Sequence, residues 1–330
     1  MLQLTNKTRF AAAMAIFPNE EAIDTLYVVV KGTFGIGAGV TLVDVQTPPC
    51  ETDVYWTEPH KSSLKYASDI HTGKPATDIV VLGHACAPAQ KEVTELDVGV
   101  AVGEVQKSVR VFGDRVWRDG KITRPLPFKA MPIVYERAYG GVQIVDGEVA
   151  DAEARNPVGR GFAGSRKEGD MNDVPLPNLE DPAQLIRCQN DRPAPASFGA
   201  YAPNWQPRAG FAGTYDEVWR KTRAPYLPFD FDGRFLNAAH PDLIYPGFLQ
   251  GGEPVTITHM HPNGPIRFDV PQVRLVTRVK VASATESPPF RLETLILEPN
   301  QLKASLVWRA ALPCDKQALK ISDVAITISR

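Results

Sequence analysis

In the last third of the chain, Val273, Leu275, Thr277, Val279 and Val281 alternate with Gln272, Arg274, Val276, Arg278 and Lys280. This is the period-two pattern of a strand with one buried and one mostly wet face. Residues 291–297 and 302–309 flank Glu298, Pro299, Asn300 and Gln301, with Leu302, Ala304, Leu306 and Trp308 on one face, which predicts an antiparallel hairpin. The first third reads the same way. Residues 26–34 are rich in Val, Tyr and Thr, 77–87 carry the run Ile79-Val80-Val81-Leu82, and 93–102 alternate up to Gly103. Residues 107–117 put Val109 and Val111 opposite Ser108 and Arg110. The pattern predicts a mainly β protein of antiparallel sheets, sandwich- or barrel-like, and excludes a Rossmann-like unit.

Between these thirds the periodicity stops. Of the 29 prolines, 19 lie between Pro125 and Pro271, too many for central strands or long helices, so a long, mostly extended irregular segment is predicted there. One short helix stands out. Thr214 and Glu217 have the spacing of a capping box, Tyr215, Val218, Trp219 and Thr222 share a face, and Pro225 ends it. A second turn is predicted at Asp181-Pro182, with Asp as cap. The organisation is that of one domain over residues 1–330, with a β-rich part at 1–125, a Pro-rich draping segment at 126–250 and an antiparallel β part at 251–330. No repeat or low-complexity tract interrupts it.

At 330 residues and 43% hydrophobic content, the chain can bury a core without help from a metal or a disulfide. A net charge of −2 argues against nucleic acid or an anionic membrane as partner, since both call for a basic surplus. Cys50, Cys86, Cys188 and Cys314 form no CxxC and pair with no neighbouring histidine, which points to reduced thiols in a cytoplasmic protein. Lys7 and Arg9 before the apolar stretch 10–17 imitate a minimal signal peptide, but that stretch is short for the purpose and rich in alanine. No stretch approaches the roughly 20 apolar residues that cross a bilayer.

Candidate chemistry is sparse. Gly159-Arg160-Gly161-Phe162-Ala163-Gly164 has GxGxxG spacing, but it follows Asn156-Pro157 instead of a strand and leads into charged residues, so it reads as a turn. His259 and His261 would share a face if 256–261 is a strand, as in cupin-type metal barrels. The glutamate such a site needs is replaced by Pro262-Asn263-Gly264-Pro265, and Asp269 or His240 would have to be supplied by the fold. Asp230-Phe231-Asp232 has DxD spacing without the preceding apolar strand, which favours turn-forming or Arg-pairing carboxylates. Gly164-Ser165-Arg166 lacks the second glycine of a nucleophile elbow. No catalytic constellation emerges, and neither enzymatic activity nor a cofactor is expected.

What remains are charged residues and turn formers set beside aromatics. They are Asp114, Arg115 and Trp117; Glu136, Arg137, Tyr139, Gly140 and Gly141; Asn156, Pro157, Gly159 and Gly161; Trp205 and Arg208; Thr214, Tyr215, Glu217 and Trp219; and Asp230, Phe231 and Asp232. In one reading, Arg–carboxylate pairs, turns and stacked rings fix the loops to the sheets. In the other, Arg115, Trp117, Arg137, Tyr139, Trp205, Arg208, Tyr215, Trp219 and Phe231 anchor a protein partner, because Trp, Tyr and Arg most often carry interface energy. Both roles have room, on different residues.

These signatures occur in order with Asn6-Lys7-Thr8-Arg9-Phe10, Val28-Val29-Val30-Lys31-Gly32-Thr33-Phe34, Tyr66-Ala67-Ser68-Asp69, Lys74-Pro75-Ala76-Thr77-Asp78 and Gly252-Glu253-Pro254-Val255. Over nearly its whole length the chain thereby resembles the bacterial domain-of-unknown-function family twenty-one sixty-nine, with Arg9 where that family's N-terminal motif usually has proline. The resemblance implies a type VI secretion adaptor, a cytoplasmic chaperone that holds a toxin effector by its PAAR-like region and assists its loading onto the VgrG spike. The alternatives are a metal-dependent hydrolase using His259 and His261, and a structural component of the secretion apparatus.

Overall fold

Strands from both ends of the chain interleave in three main sheets in the computed structural model, which describes residues 2–329, with Glu168 by its backbone alone. The widest has seven strands. Six run in the order Ile244–Tyr245, Thr77–Val81, Arg291–Glu298, Lys303–Pro313, Asp24–Gly35 and Ala11–Pro18, and Thr41–Leu42 pairs onto Asp24–Gly35. Its one parallel pair joins Thr77–Val81 to Arg291–Glu298. Residues 25–34 are buried without a break, the mark of a strand covered on both faces. The predicted hairpin is present, with Leu292 opposite Trp308 and Leu297 opposite Ala304.

A five-stranded antiparallel sheet follows the order Leu179–Glu180, Val105–Phe112, Glu95–Val102, Pro254–Thr258 and Ile266–Asp269. A four-stranded sheet follows Gln3–Asn6, Ile321–Ile328, Leu275–Val281 and Ala284–Glu286, with its first pair parallel. Val98, Val100, Val109, Val111, Val255 and Ile257 turn inward to the same core as Ile79, Leu295, Leu306 and Val279, so alternation in sequence becomes one shared interior. The sheets do not close into a barrel.

The middle segment is irregular, and no described strand within residues 126–250 exceeds five residues. Three details differ from expectation. The apolar stretch 10–17 is an edge of the wide sheet, the strand Ala11–Pro18. The helix Glu217–Thr222 is capped by Asp216, whose carboxylate accepts from the Trp219 amide at 2.8 Å, and it ends before Pro225. Thr214 and Glu217 form no capping box, because Thr214 is held instead by Asp230 through its amide (3.0 Å) and hydroxyl (2.7 Å). The four cysteines are free thiols, and no described helix is long and apolar enough to cross a membrane.

A network of buried charge crosses the wide sheet. Lys31, Asp69, Lys74, Asp78, Glu293 and Arg309 are each 5% exposed or less. Lys31 Nζ lies 3.0 Å from Asp69, Lys74 Nζ 2.7 Å from Asp78, and Arg309 Nε 2.7 Å from Glu293. The remaining polar atoms are satisfied locally. Arg309 also donates to the carbonyls of Asp69 (2.6 Å) and His71 (2.9 Å), and Asp78 accepts from Asn237 and the Ala238 amide, both at 2.8 Å. A register shift between Leu292 and Thr294 takes Glu293 out of the strand ladder, the way a bulge re-aims a side chain. The cavity beside Asp69, Lys74 and Asp78 holds only about 20 Å³, too little for a substrate at that end of the network.

Arg309→Met leaves Glu293 charged without its partner, and it should lower the unfolding free energy by about 3–5 kcal/mol in urea titration. A loss under ~1 kcal/mol would show that the pair does not hold the sheet. Two imidazoles add a pH dependence. Burial and the Arg309 guanidinium hold His71 well below its ordinary value, and burial and Lys107 push His240 down to about 4. Both rings stay neutral in the fold but take up protons in the unfolded chain once the pH falls below 6.5. Stability should therefore fall as pH is lowered from about 6.5 towards 4, by at most ~1.4 kcal/mol per pH unit for each ring. His240→Gln should make this decline shallower in thermal melts across that range, and an unchanged slope would contradict the assignment.

Candidate functional site

Three of the sequence signatures fold onto one another. Tyr139–Gly140 pairs in parallel with Arg160–Gly161, and the Gly141 amide donates to Asn156 O at 2.8 Å. Asn156 is fully buried, and its side-chain amide donates to the carbonyls of Tyr135 (2.8 Å) and Tyr139 (3.0 Å). Pro157 opens the turn that brings Gly159 beneath Asn156. A Cβ on Gly140 would lie 2.1 Å from Asn156 O, and one on Gly159 would lie 2.4 Å from Asn156 Nδ2, so only glycine admits this approach.

The knot is tied to the five-stranded sheet. Asn178 Oδ1 accepts from Arg137 (2.9 Å) and Arg160 (3.2 Å), while its amide donates to Phe112 O (3.1 Å) and Asp114 (3.0 Å). Glu136 accepts from the amide (2.7 Å) and hydroxyl (2.8 Å) of Ser63. Arg115 pairs with Glu180 and stacks 3.7 Å over the Phe112 ring. The other Glu180 oxygen accepts from the Ile186 amide at 2.8 Å. Trp117, Tyr139, Phe162, Met171, Leu176 and Ile186 make a second, smaller core beneath these loops. Elsewhere, Trp205 meets Tyr135 edge-on at 5.5 Å, and Arg208 donates to the carbonyls of Tyr201 (2.7 Å) and Phe235 (2.8 Å).

Five of the candidate anchors, Arg115, Trp117, Tyr139, Trp205 and Arg208, are therefore inside the fold, none more than 9% exposed. They are packed within the chain itself and present almost no surface. Arg137 is partly exposed, but its guanidinium is held by Asn178 and lies 3.7 Å from Asp114.

The remaining anchors sit on an arm, residues 213–231. It is clasped at its base by Thr214 and Asp230, and this hydrogen bonding holds the Asp230 carboxyl below its ordinary range. Within the arm, Tyr215 packs edge-on against Trp219 at 4.7 Å, and Trp219 Nε1 donates to Tyr226 O at 2.9 Å. Arg223 stacks 4.5 Å from the Phe229 ring and reaches Glu20 O at 2.7 Å, fastening the arm to the loop after Ala11–Pro18. At the arm's end Phe231 packs edge-on to Phe235 at 5.9 Å, and just beyond it Asp232 pairs with Arg234. Glu217 pairs with Arg220 on the surface at 2.7 Å. Tyr215, Val218, Tyr226 and Phe229 remain exposed. The last two escaped the sequence reading because Phe229, between Pro228 and Asp230, belongs to no periodic pattern; its isolation between turn formers was the available signal.

The histidine pair does not form as the strand expectation required. The strand ends at Thr258, and His259 at φ 57° turns the chain towards Asn263, with its Nδ1 2.7 Å from Asp97 O. His261 Nδ1 accepts from the Asn263 amide at 3.3 Å. Among the described residues, no three His, Cys, Asp or Glu side chains gather as a metal site would need. A cleft of about 370 Å³ opens beside Lys31, Cys50, Tyr66, Glu298 and Lys303. There Tyr66 donates to Glu298 at 2.9 Å, and burial pushes both the Tyr66 phenol and the Cys50 thiol up. Both groups keep their protons, the opposite of an activated nucleophile.

The fold and the interlocked signatures define an open, multi-sheet β protein in which the signatures around Arg115, Tyr139 and Asn156 serve the architecture. Residues 21–309 match the family model described as "Uncharacterized protein conserved in bacteria (DUF2169)", and the chain belongs to that family. No curated protein and no solved structure matches it.

Gly140→Ala should destabilise the protein by more than about 3 kcal/mol, since backbone lies where the methyl would go. Asn156→Ala, which takes the side-chain donor from Tyr139 O and leaves Tyr135 O only the Ala138 amide, should cost about 1–3 kcal/mol. Urea denaturation of both variants checks the knot; wild-type midpoints would show that these contacts are dispensable.

Proposed function

We propose that this protein is a stoichiometric adaptor. In the cytoplasm it holds a type VI toxin effector by its PAAR-like region, keeps it soluble, and releases it to the VgrG spike. The arm carries this reading. Tyr215, Val218, Tyr226 and Phe229 are 53, 65, 39 and 80% exposed on a backbone that is fixed at its base, along its helix and at Glu20. Apolar side chains grouped on one segment in water mark an interaction surface, and aromatic ones most often supply its energetic centre. Because the clasp has already ordered the segment, less conformational freedom is lost on docking. A stable complex buries about 1,200–2,000 Å² in total, so the arm supplies the centre of a larger contact.

The test is co-expression of the chain with a type VI toxin that carries a PAAR-like region. The adaptor should raise the toxin's soluble yield and co-elute with it in size exclusion. The pair Val218→Asp and Phe229→Asp should weaken the complex at least about tenfold with an unchanged melting temperature, because neither side chain is buried. Two separate peaks at micromolar concentration would overturn the reading, and so would export of the protein with the spike, which is the behaviour of a structural component.

A further inference from the structure

We infer that a basic cavity above the second core binds a small molecule bearing two or more phosphoryl groups. The cavity, of about 480 Å³, lies between the turn at Gly120, the residues after Phe162 and the turn 187–192. Arg166, Lys167, Arg187 and Arg192 line it, and no described carboxylate does. Four cations around one space are unusual in a chain whose net charge is −2. Like charges so grouped repel one another, and an anion of matching size relieves that repulsion.

The floor of the site is rigid. Phe162 and Ile186 belong to the small core, and the Ile186 amide is held by Glu180, itself paired with Arg115. Arg166 is aimed by its bond to Phe162 O at 2.8 Å, and Arg192 sits 5.9 Å from the Phe162 ring centroid. Two neighbouring acids are engaged by backbone: Asp191 accepts from the amides of Arg187 (2.7 Å) and Cys188 (2.9 Å) and from the Cys188 thiol (3.1 Å), and Asp170 accepts from the Lys167 amide (3.3 Å). That arrangement shapes the turn while leaving the Arg187 and Arg192 side chains exposed.

The lining also defines the ligand class. Guanidinium forks recognise phosphoryl oxygens in pairs, and three of the four cations are arginines. No aromatic side chain lines the space to stack a base, so charge and not a ring is the recognised feature. The volume lies within the range of small-molecule sites. The inference does not depend on the adaptor reading, because the cavity and the arm share no residue.

Tripolyphosphate is the probe, titrated calorimetrically into the full-length protein at low salt. One site per chain is expected, weakening at least about tenfold between 50 and 200 mM salt. The double variant Arg187→Gln/Arg192→Gln removes two heads that make no side-chain hydrogen bond among the described residues, and it should abolish the heat without moving the melting temperature. Arg124→Gln, outside the cavity, should bind as the wild type does. Absence of binding at millimolar probe, or equal binding by the double variant, would overturn the site. If an Asp/Glu-rich peptide displaced tripolyphosphate at lower concentration than the probe itself requires, the ligand class would be wrong.

Discussion

Burying Lys31 in the middle of a strand covered on both faces is the constraint from which much of this architecture follows. An ammonium removed from water demands a counterion and further hydrogen bonds, or the fold loses several kcal/mol. Asp69 supplies the counterion, and its Oδ2 also accepts from the Cys50 amide at 2.7 Å, so one carboxylate fixes two loops against the sheet. The same solution recurs along the sheet. Arg309 and Glu293 join neighbouring strands to the 69–71 backbone, and Lys74 and Asp78 capture Asn237 from the Pro-rich segment. Three cations and three anions thus balance among buried side chains, and their further bonds tie the 69–71 loop and the Pro-rich segment to the sheet.

This explains how a segment with so little regular structure can be well defined. A loop rich in proline cannot satisfy its backbone through ladders, so its order must come from side chains that bond to main-chain groups. Asn156, Asn178, Arg208 and Asn237 all do this, each reaching backbone carbonyls or carboxylates of other segments. The aromatics fill the space these bonds enclose, with Tyr135, Tyr201 and Trp205 in mutual contact at 5.0 to 6.2 Å. The draping segment is therefore a layer of the core and not a cover laid over it.

The strands were legible in the sequence because alternation is a local property: Val109, Val111, Thr277 and Val279 declare their buried face within a few residues. The charge network was not, although Lys31, Asp69, Lys74 and Asp78 all stood within the signatures. The partners of Lys31 and Lys74 are fixed by the fold, and a charge in an apolar run says only that some partner exists. The helix cap shows the same limit on a smaller scale. Thr214 had the spacing of a cap, but Asp230, sixteen positions away, holds it, and Asp216 caps the helix instead. Burial separates the Arg and aromatic residues that hold the fold from those that face water, which composition cannot do.

That division has a consequence for how the protein can change. Arg115, Trp117 and Trp205 each touch several segments, so a substitution there disturbs the whole fold. Val218 and Phe229 lie on a clasped arm whose own hydrogen bonds come from Thr214, Asp216, Arg223 and Asp230. Their side chains can be exchanged at small cost in stability, because an exposed group away from caps and charge pairs contributes within about 0.5 kcal/mol. A scaffold that separates the residues holding its loops from those facing water can alter what it binds without altering how it folds. The arm, held at its base by Thr214 and Asp230 and exposed at Val218 and Phe229, shows that separation.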